Sequence, residues 1–143
     1  MAPLFSPRDC FYLQQLVRLE EARLGHATAR DVFELAWFVE LAWYCGRMRF
    51  REPPRRLGAC RERILLSKGG DIQDGHLDDT LFAALQQGVR CAMGVLDRFS
   101  LVEIADTTRY LTQQWQAMQA RPACAGAAGT PLAHALVSTV LPR

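Results

Sequence analysis

The chain has 143 residues, half of them hydrophobic, and a formal net charge of only +2. That length suits one domain able to bury roughly two-thirds of the surface its unfolded form exposes, and the composition places the chain with globular rather than disordered proteins. All but one of the 17 cationic residues are Arg, with Lys68 the lone Lys; Asn is absent and Ile occurs only at 64, 72 and 104. This is the codon usage of a GC-rich genome, for which a bacterial source is expected, so Arg abundance by itself carries no functional weight.

Three start signals organise the chain, each a hydroxyl residue that caps free N–H groups with an acid three positions later that reaches back. Ser6 with Asp9, helped by Pro7, opens a first helix near residues 7–24, which Gly25 stops. Thr28 with Asp31 opens a second over about 29–48, ended before Pro53-Pro54 because a residue preceding proline avoids helical angles. A third is predicted from Pro54 to Lys68, stopped by Gly69 and Gly70. The acidic stretch from Asp71 to Asp79 then leads through Asp78, the expected cap, into a fourth helix at about 79–99. Ser100 with Glu103 opens the fifth, 101–120, ended by Pro122.

On the fourth helix Leu81, Leu85, Val89, Ala92 and Leu96 draw one apolar stripe, and Leu101, Ala105, Leu111, Trp115 and Met118 do so on the fifth. The very short connection at Phe99-Ser100 predicts that these helices pack stripe to stripe as an antiparallel or sharply angled hairpin. No strand alternation stands out. The expected fold is therefore all-α: a small helical bundle of about five helices with short loops over residues 1–122. A flexible low-complexity linker and a short apolar C-terminal segment, with Leu132, Leu136, Val137 and Val140, follow over 123–143.

The second helix is the most informative element. Val32, Phe33, Leu35, Trp37, Phe38, Val39, Leu41, Trp43 and Tyr44 leave it little polar face, and Glu34 and Glu40 stand about 240° apart around its axis. A helix apolar nearly all round must be covered nearly all round. Either it is the central helix, or a second molecule buries one of its faces. Large aromatic residues anchor interfaces, so Phe33, Trp37, Phe38, Trp43 and Tyr44 are the expected partner-binding residues, together with the adjacent Arg47, Arg49, Arg55 and Arg56. The expected partners are another protein and a second copy of the chain, as a homodimer.

Those arginines belong to a segregated cationic segment. Arg47, Arg49, Arg51, Arg55, Arg56, Arg61, Arg63 and Lys68 stand against only Glu52 and Glu62. Guanidinium groups pair bidentately with carboxylates and phosphates alike, so an acidic protein surface and nucleic acid are both readings of residues 47–68. Nucleic acid is the less favoured, because the overall charge is nearly balanced and Phe50 is the one aromatic interleaved with the arginines. The acids Asp71, Asp74, Asp78 and Asp79 are placed to lie against the basic helix, leaving a solvated or internally paired face as the alternative.

No catalytic constellation is found: no nucleophile in a strand-to-helix turn, no paired carboxylates and no phosphate-binding glycine pattern. The acidic stretch lacks the ligand spacing of a calcium loop, and His26, His76 and His134 are too isolated to make a metal site. Neither enzymatic activity nor a cofactor or metal is expected. A third reading, a small-molecule carrier, would place a pocket near Trp37, Trp43 and Trp115. Cys10, Cys45, Cys60, Cys91 and Cys124 form no C-x-x-C pair and read as reduced thiols. Arginines flank Cys45 and Cys60 and can lower a thiol's pKa, although an inert buried cysteine is the commoner case. No secretory signal is seen in Met1–Pro7, and the longest apolar run, Val32–Cys45, is too short to span a bilayer, so a cytoplasmic location is expected, with no membrane partner.

Overall fold

The computed structural model describes residues 6–50, 52, 54–67 and 72–120, without the side chains of Ile72 and Gln73. Among the described residues there are five helices, α1 (Pro7–Arg23), α2 (Ala29–Arg49), α3 (Arg55–Leu66), α4 (Asp79–Leu96) and α5 (Leu101–Ala120). All three capping boxes form. The hydroxyls of Ser6, Thr28 and Ser100 accept the N–H of Asp9, Asp31 and Glu103 at 3.1, 3.2 and 3.1 Å. The acids accept the cap N–H groups in return, at 3.2, 3.1 and 3.0 Å. Asp78 caps α4 as expected, its carboxylate accepting the N–H groups of Thr80 and Leu81. Gly25, with φ +83°, takes the left-handed conformation that stops α1.

Two ends fall short of expectation. α3 stops at Leu66 because Ser67 turns extended, its N–H and hydroxyl both donating to the Arg63 carbonyl at 3.1 Å. α4 stops at Leu96, where the Arg8 guanidinium reaches across from α1 and donates to the carbonyls of Leu96 and Phe99. Lys68, Gly69, Gly70, Pro122 and the whole expected linker and C-terminal segment, 123–143, lie outside the described residues.

The acidic connection holds a minimal antiparallel hairpin, β1 (Ile72–Gln73) and β2 (His76–Leu77), in register Ile72 to Leu77. Asp74 and Gly75 have φ of +54° and +81°, the double positive φ of a type I′ turn, for which Asp-Gly is a strong signal. β2 lies beside α1, and the Gly75 carbonyl accepts the N–H of Ala27 at 2.8 Å. Asp74 is used in the turn and Asp78 at the α4 cap, and neither they nor Asp79 form an ion pair with an arginine of α3, while Asp71 lies outside the described residues. A Cβ on Gly75 would sit 2.0 Å from the Gly25 carbonyl oxygen. Gly75→Ala should cost about 1–3 kcal/mol, seen as a lower urea midpoint. Gly94→Ala, in an open position on α4, should be neutral or slightly stabilising in the same measurement.

α2 is the central helix, packed by α1, α3, α4 and α5. This is the first of the two arrangements expected for a helix apolar nearly all round. Val32, Leu35, Ala36, Phe38, Val39, Leu41, Ala42 and Cys45 are all buried. α4 supplies its predicted stripe, with Leu81, Leu85, Val89, Ala92 and Leu96 buried without exception.

α5 departs from expectation in both face and neighbour. It packs on α2, running antiparallel to it: Arg49 meets Glu103 at 3.1 Å, Tyr44 meets Tyr110, and Phe33 meets Trp115. The α4 stripe is already covered by α2 and α3, whereas Phe33, Trp37 and Tyr44 of α2 take their cover from Trp115 and Tyr110 of α5. The buried face of α5 is Ile104, Thr107, Leu111 and Met118, while Leu101 is 46% exposed and Ala105 is also outside. Thr107 makes this face possible because its hydroxyl donates to the Glu103 carbonyl at 3.0 Å.

Candidate partner-binding site

The aromatic residues of α2 divide among three neighbours. Phe38, 1% exposed, is sealed against Phe11 and Tyr12 of α1 and has no surface to offer a partner. Phe33 and Trp37 stack on each other and on Trp115 of α5. Tyr44 meets Tyr110, and burial pushes its hydroxyl pKa up. Trp43 turns the other way, toward α3, where Gly58 leaves room for its ring and the Arg61 guanidinium lies over it at 5.4 Å. The three tryptophans are thus not gathered around one pocket. The face of α2 that motivated a homodimer is largely taken up within the chain.

The cationic segment divides too. Arg61 turns inward and donates to both carboxylate oxygens of fully buried Glu40, at 2.8 and 3.2 Å. Arg49 pairs with Glu103, whose carboxyl is held below the ordinary range first by the Ser100 N–H and further by Arg49. Arg47 is exposed on the last turn of α2, and Arg51 lies outside the described residues. Arg55, Arg56 and Arg63 remain exposed on α3 with no carboxylate within 4.0 Å among the described residues.

These three arginines meet two more that sequence reasoning missed. A cavity of about 730 Å³ is lined by Arg55, Arg56 and Leu57 on α3, by Cys91, Gly94 and Val95 on α4, by Arg98 just beyond its end, and by Arg49, Phe50 and Pro54. A second, of about 490 Å³, is lined by Arg56, Ala59, Cys60, Arg63, Gln87, Arg90 and Cys91. Arg56 and Cys91 belong to both. Together they make a groove along the α3–α4 seam with an apolar floor and guanidinium groups on both walls. Glu52 is the acid in the lining. Gln87, Arg90, Cys91, Gly94 and Arg98 recur at helical spacing opposite the α4 stripe. That signal was visible in the sequence, but nothing local shows that this face adjoins α3.

Phe50 is not free for base stacking. Its ring centroid is 5.4 Å from that of Phe99, and the Arg98 guanidinium lies over it at 4.4 Å. The thiols of Cys45 and Cys60 are both pushed up in pKa by burial, the opposite of an activating arginine effect, and Arg63 opposes this only weakly at Cys60. Among the described residues no cluster of three His, Cys, Asp or Glu can hold a metal ion, and no helix is long and apolar enough to cross a membrane. No family model matches the chain, nor does any curated protein or solved structure, so its function must be read from its own residues.

Proposed function

We propose that this protein is a non-enzymatic adaptor or regulator that grips an acidic segment of a partner protein in the α3–α4 groove. The observation that carries the reading is the convergence of Arg55, Arg56, Arg63, Arg90 and Arg98 on one groove. Arg55, Arg56, Arg63 and Arg90 have no carboxylate partner among the described residues. Guanidinium forks on both walls match carboxylates bidentately, and the partly exposed Val95 and Phe50 between them suit apolar side chains of the same segment. A nucleic acid would gain the charge but little stacking, since Phe50 already packs on Phe99 and the Arg98 guanidinium. A reducing bacterial cytoplasm suits this role: Cys10, Cys45, Cys60 and Cys91 are free thiols.

Fluorescence anisotropy tests the reading with a labelled acidic amphipathic peptide and a single-stranded oligonucleotide of equal charge. The wild type should bind the peptide, and Arg56→Glu with Arg90→Glu should weaken it roughly 10–100-fold with helicity unchanged. Preference for the oligonucleotide, with affinity falling steeply in salt, would replace the protein partner by nucleic acid. Binding of neither would remove the groove as a site.

A further inference from the structure

The groove also holds two thiols that an anionic-peptide site does not need. Cys60 of α3 and Cys91 of α4 both line the smaller cavity, among the guanidinium groups of Arg56, Arg63 and Arg90. The Cβ of Cys60 lies 3.4 Å from where a Cβ on Gly88 would stand, so α3 touches α4 at that point. Cys91 is one helical turn further along the same side of α4. It is near enough to Cys60 to bear on that thiol's ionisation. Cys60 is 5% exposed, whereas Cys91 is partly open to solvent.

We propose that Cys60 and Cys91 are a redox pair that closes to an α3–α4 disulfide by exchange with glutathione disulfide, whose carboxylates Arg56, Arg63 and Arg90 receive. The inference stands whether or not the groove also takes an acidic peptide. In the first step the Cys91 thiolate attacks one sulfur of the glutathione disulfide. The S–S bond breaks, and one glutathione leaves as thiolate and takes up the proton that Cys91 gave away. In the second step the Cys60 thiolate attacks the Cys91 sulfur of the mixed disulfide and expels the second glutathione, which takes the Cys60 proton. Two protein thiols are oxidised to one disulfide, and one glutathione disulfide is reduced to two glutathiones.

Accessibility sets the order, because the small disulfide reaches Cys91 from the cavity and cannot reach Cys60 first. Burial raises the Cys60 pKa, and the neighbouring Cys91 adds to the rise. Little Cys60 is therefore thiolate at neutral pH, and the second step quickens as pH rises toward the raised pKa. The product ties two helices at residues 60 and 91, so it should raise Tm by several degrees.

The test incubates the full chain with glutathione disulfide and maps tryptic peptides by mass spectrometry. The expected product joins residues 57–61 to residues 91–98, disappears with dithiothreitol, and forms with release of two glutathiones per chain. Cys60→Ser should instead accumulate glutathione on Cys91, and Cys91→Ser should leave Cys60 unmodified. Arg56→Ala with Arg90→Ala should slow the reaction about 10-fold with glutathione disulfide but not with the uncharged 2-hydroxyethyl disulfide. Glutathione taken up at exposed Cys10 with Cys60 and Cys91 still thiols would overturn the proposal. Equal reaction of Cys60 in Cys91→Ser, or an arginine effect indifferent to the charge of the disulfide, would overturn its mechanism.

Discussion

Arg61→Ala should lower the unfolding free energy by about 3–5 kcal/mol, a large fraction of the whole stability of a domain this size. The Glu40 side chain is 0% exposed and that of Arg61 is 11% exposed, and two hydrogen bonds join them at 2.8 and 3.2 Å. Removing the guanidinium leaves the carboxylate inside the bundle, deprived of both hydrogen bonds and of the charge that offsets its desolvation. The Trp43 ring also loses the cation above it. Replacing both members by methionine removes the buried charge together with its partner and should cost much less than the single change. Urea denaturation of the wild type, Arg61→Ala and the double methionine variant, with helicity followed by circular dichroism, measures both numbers. A loss below about 1 kcal/mol for Arg61→Ala would mean that water reaches the pair and that it behaves as a surface bridge.

Phe38→Ala should cost about 3–5 kcal/mol and leave the oligomeric state unchanged. The ring is 1% exposed and packs against Phe11 at 5.2 Å and Tyr12 at 6.0 Å, the contact through which α1 lies on α2. Truncation leaves a cavity between two helices whose other attachments are fixed, including the Tyr12 hydroxyl donating to Asp97 at 2.8 Å and Arg8 on the end of α4. Little collapse can fill it. Arg55→Glu, on an exposed turn, should move stability by no more than about 0.5 kcal/mol. Light scattering alongside denaturation separates the two roles expected of the aromatic helix. A Phe38→Ala chain that stays as stable as the wild type but changes its association would make this residue an interface anchor after all.

The same contrast explains why the cationic segment reads differently in one dimension and in three. As sequence, Arg49, Arg55, Arg56, Arg61 and Arg63 are one basic run. In the fold Arg61 neutralises a buried carboxylate 21 residues upstream and Arg49 pairs with partly exposed Glu103 of α5, whereas Arg90 of α4 and Arg98 just beyond it join Arg55, Arg56 and Arg63. The Asp74-Gly75 turn is legible in its dipeptide, but two-residue strands leave no alternation to mark the hairpin.

What the sequence determined by itself is local. Caps, stops and the α4 stripe depend on groups within about four residues of each other, and such interactions are written directly in residue order. The five helices, the three capping boxes and the Asp78 cap follow from them. Only the tertiary structure decided that α2 is central, that α5 covers α2 and not α4, and that arginines far apart in the chain share a groove with two thiols. Hydrophobic burial is non-directional, so the choice turns on long-range details: a threonine that bonds its own helix, a glycine that admits a tryptophan ring, and a buried glutamate that requires one particular arginine.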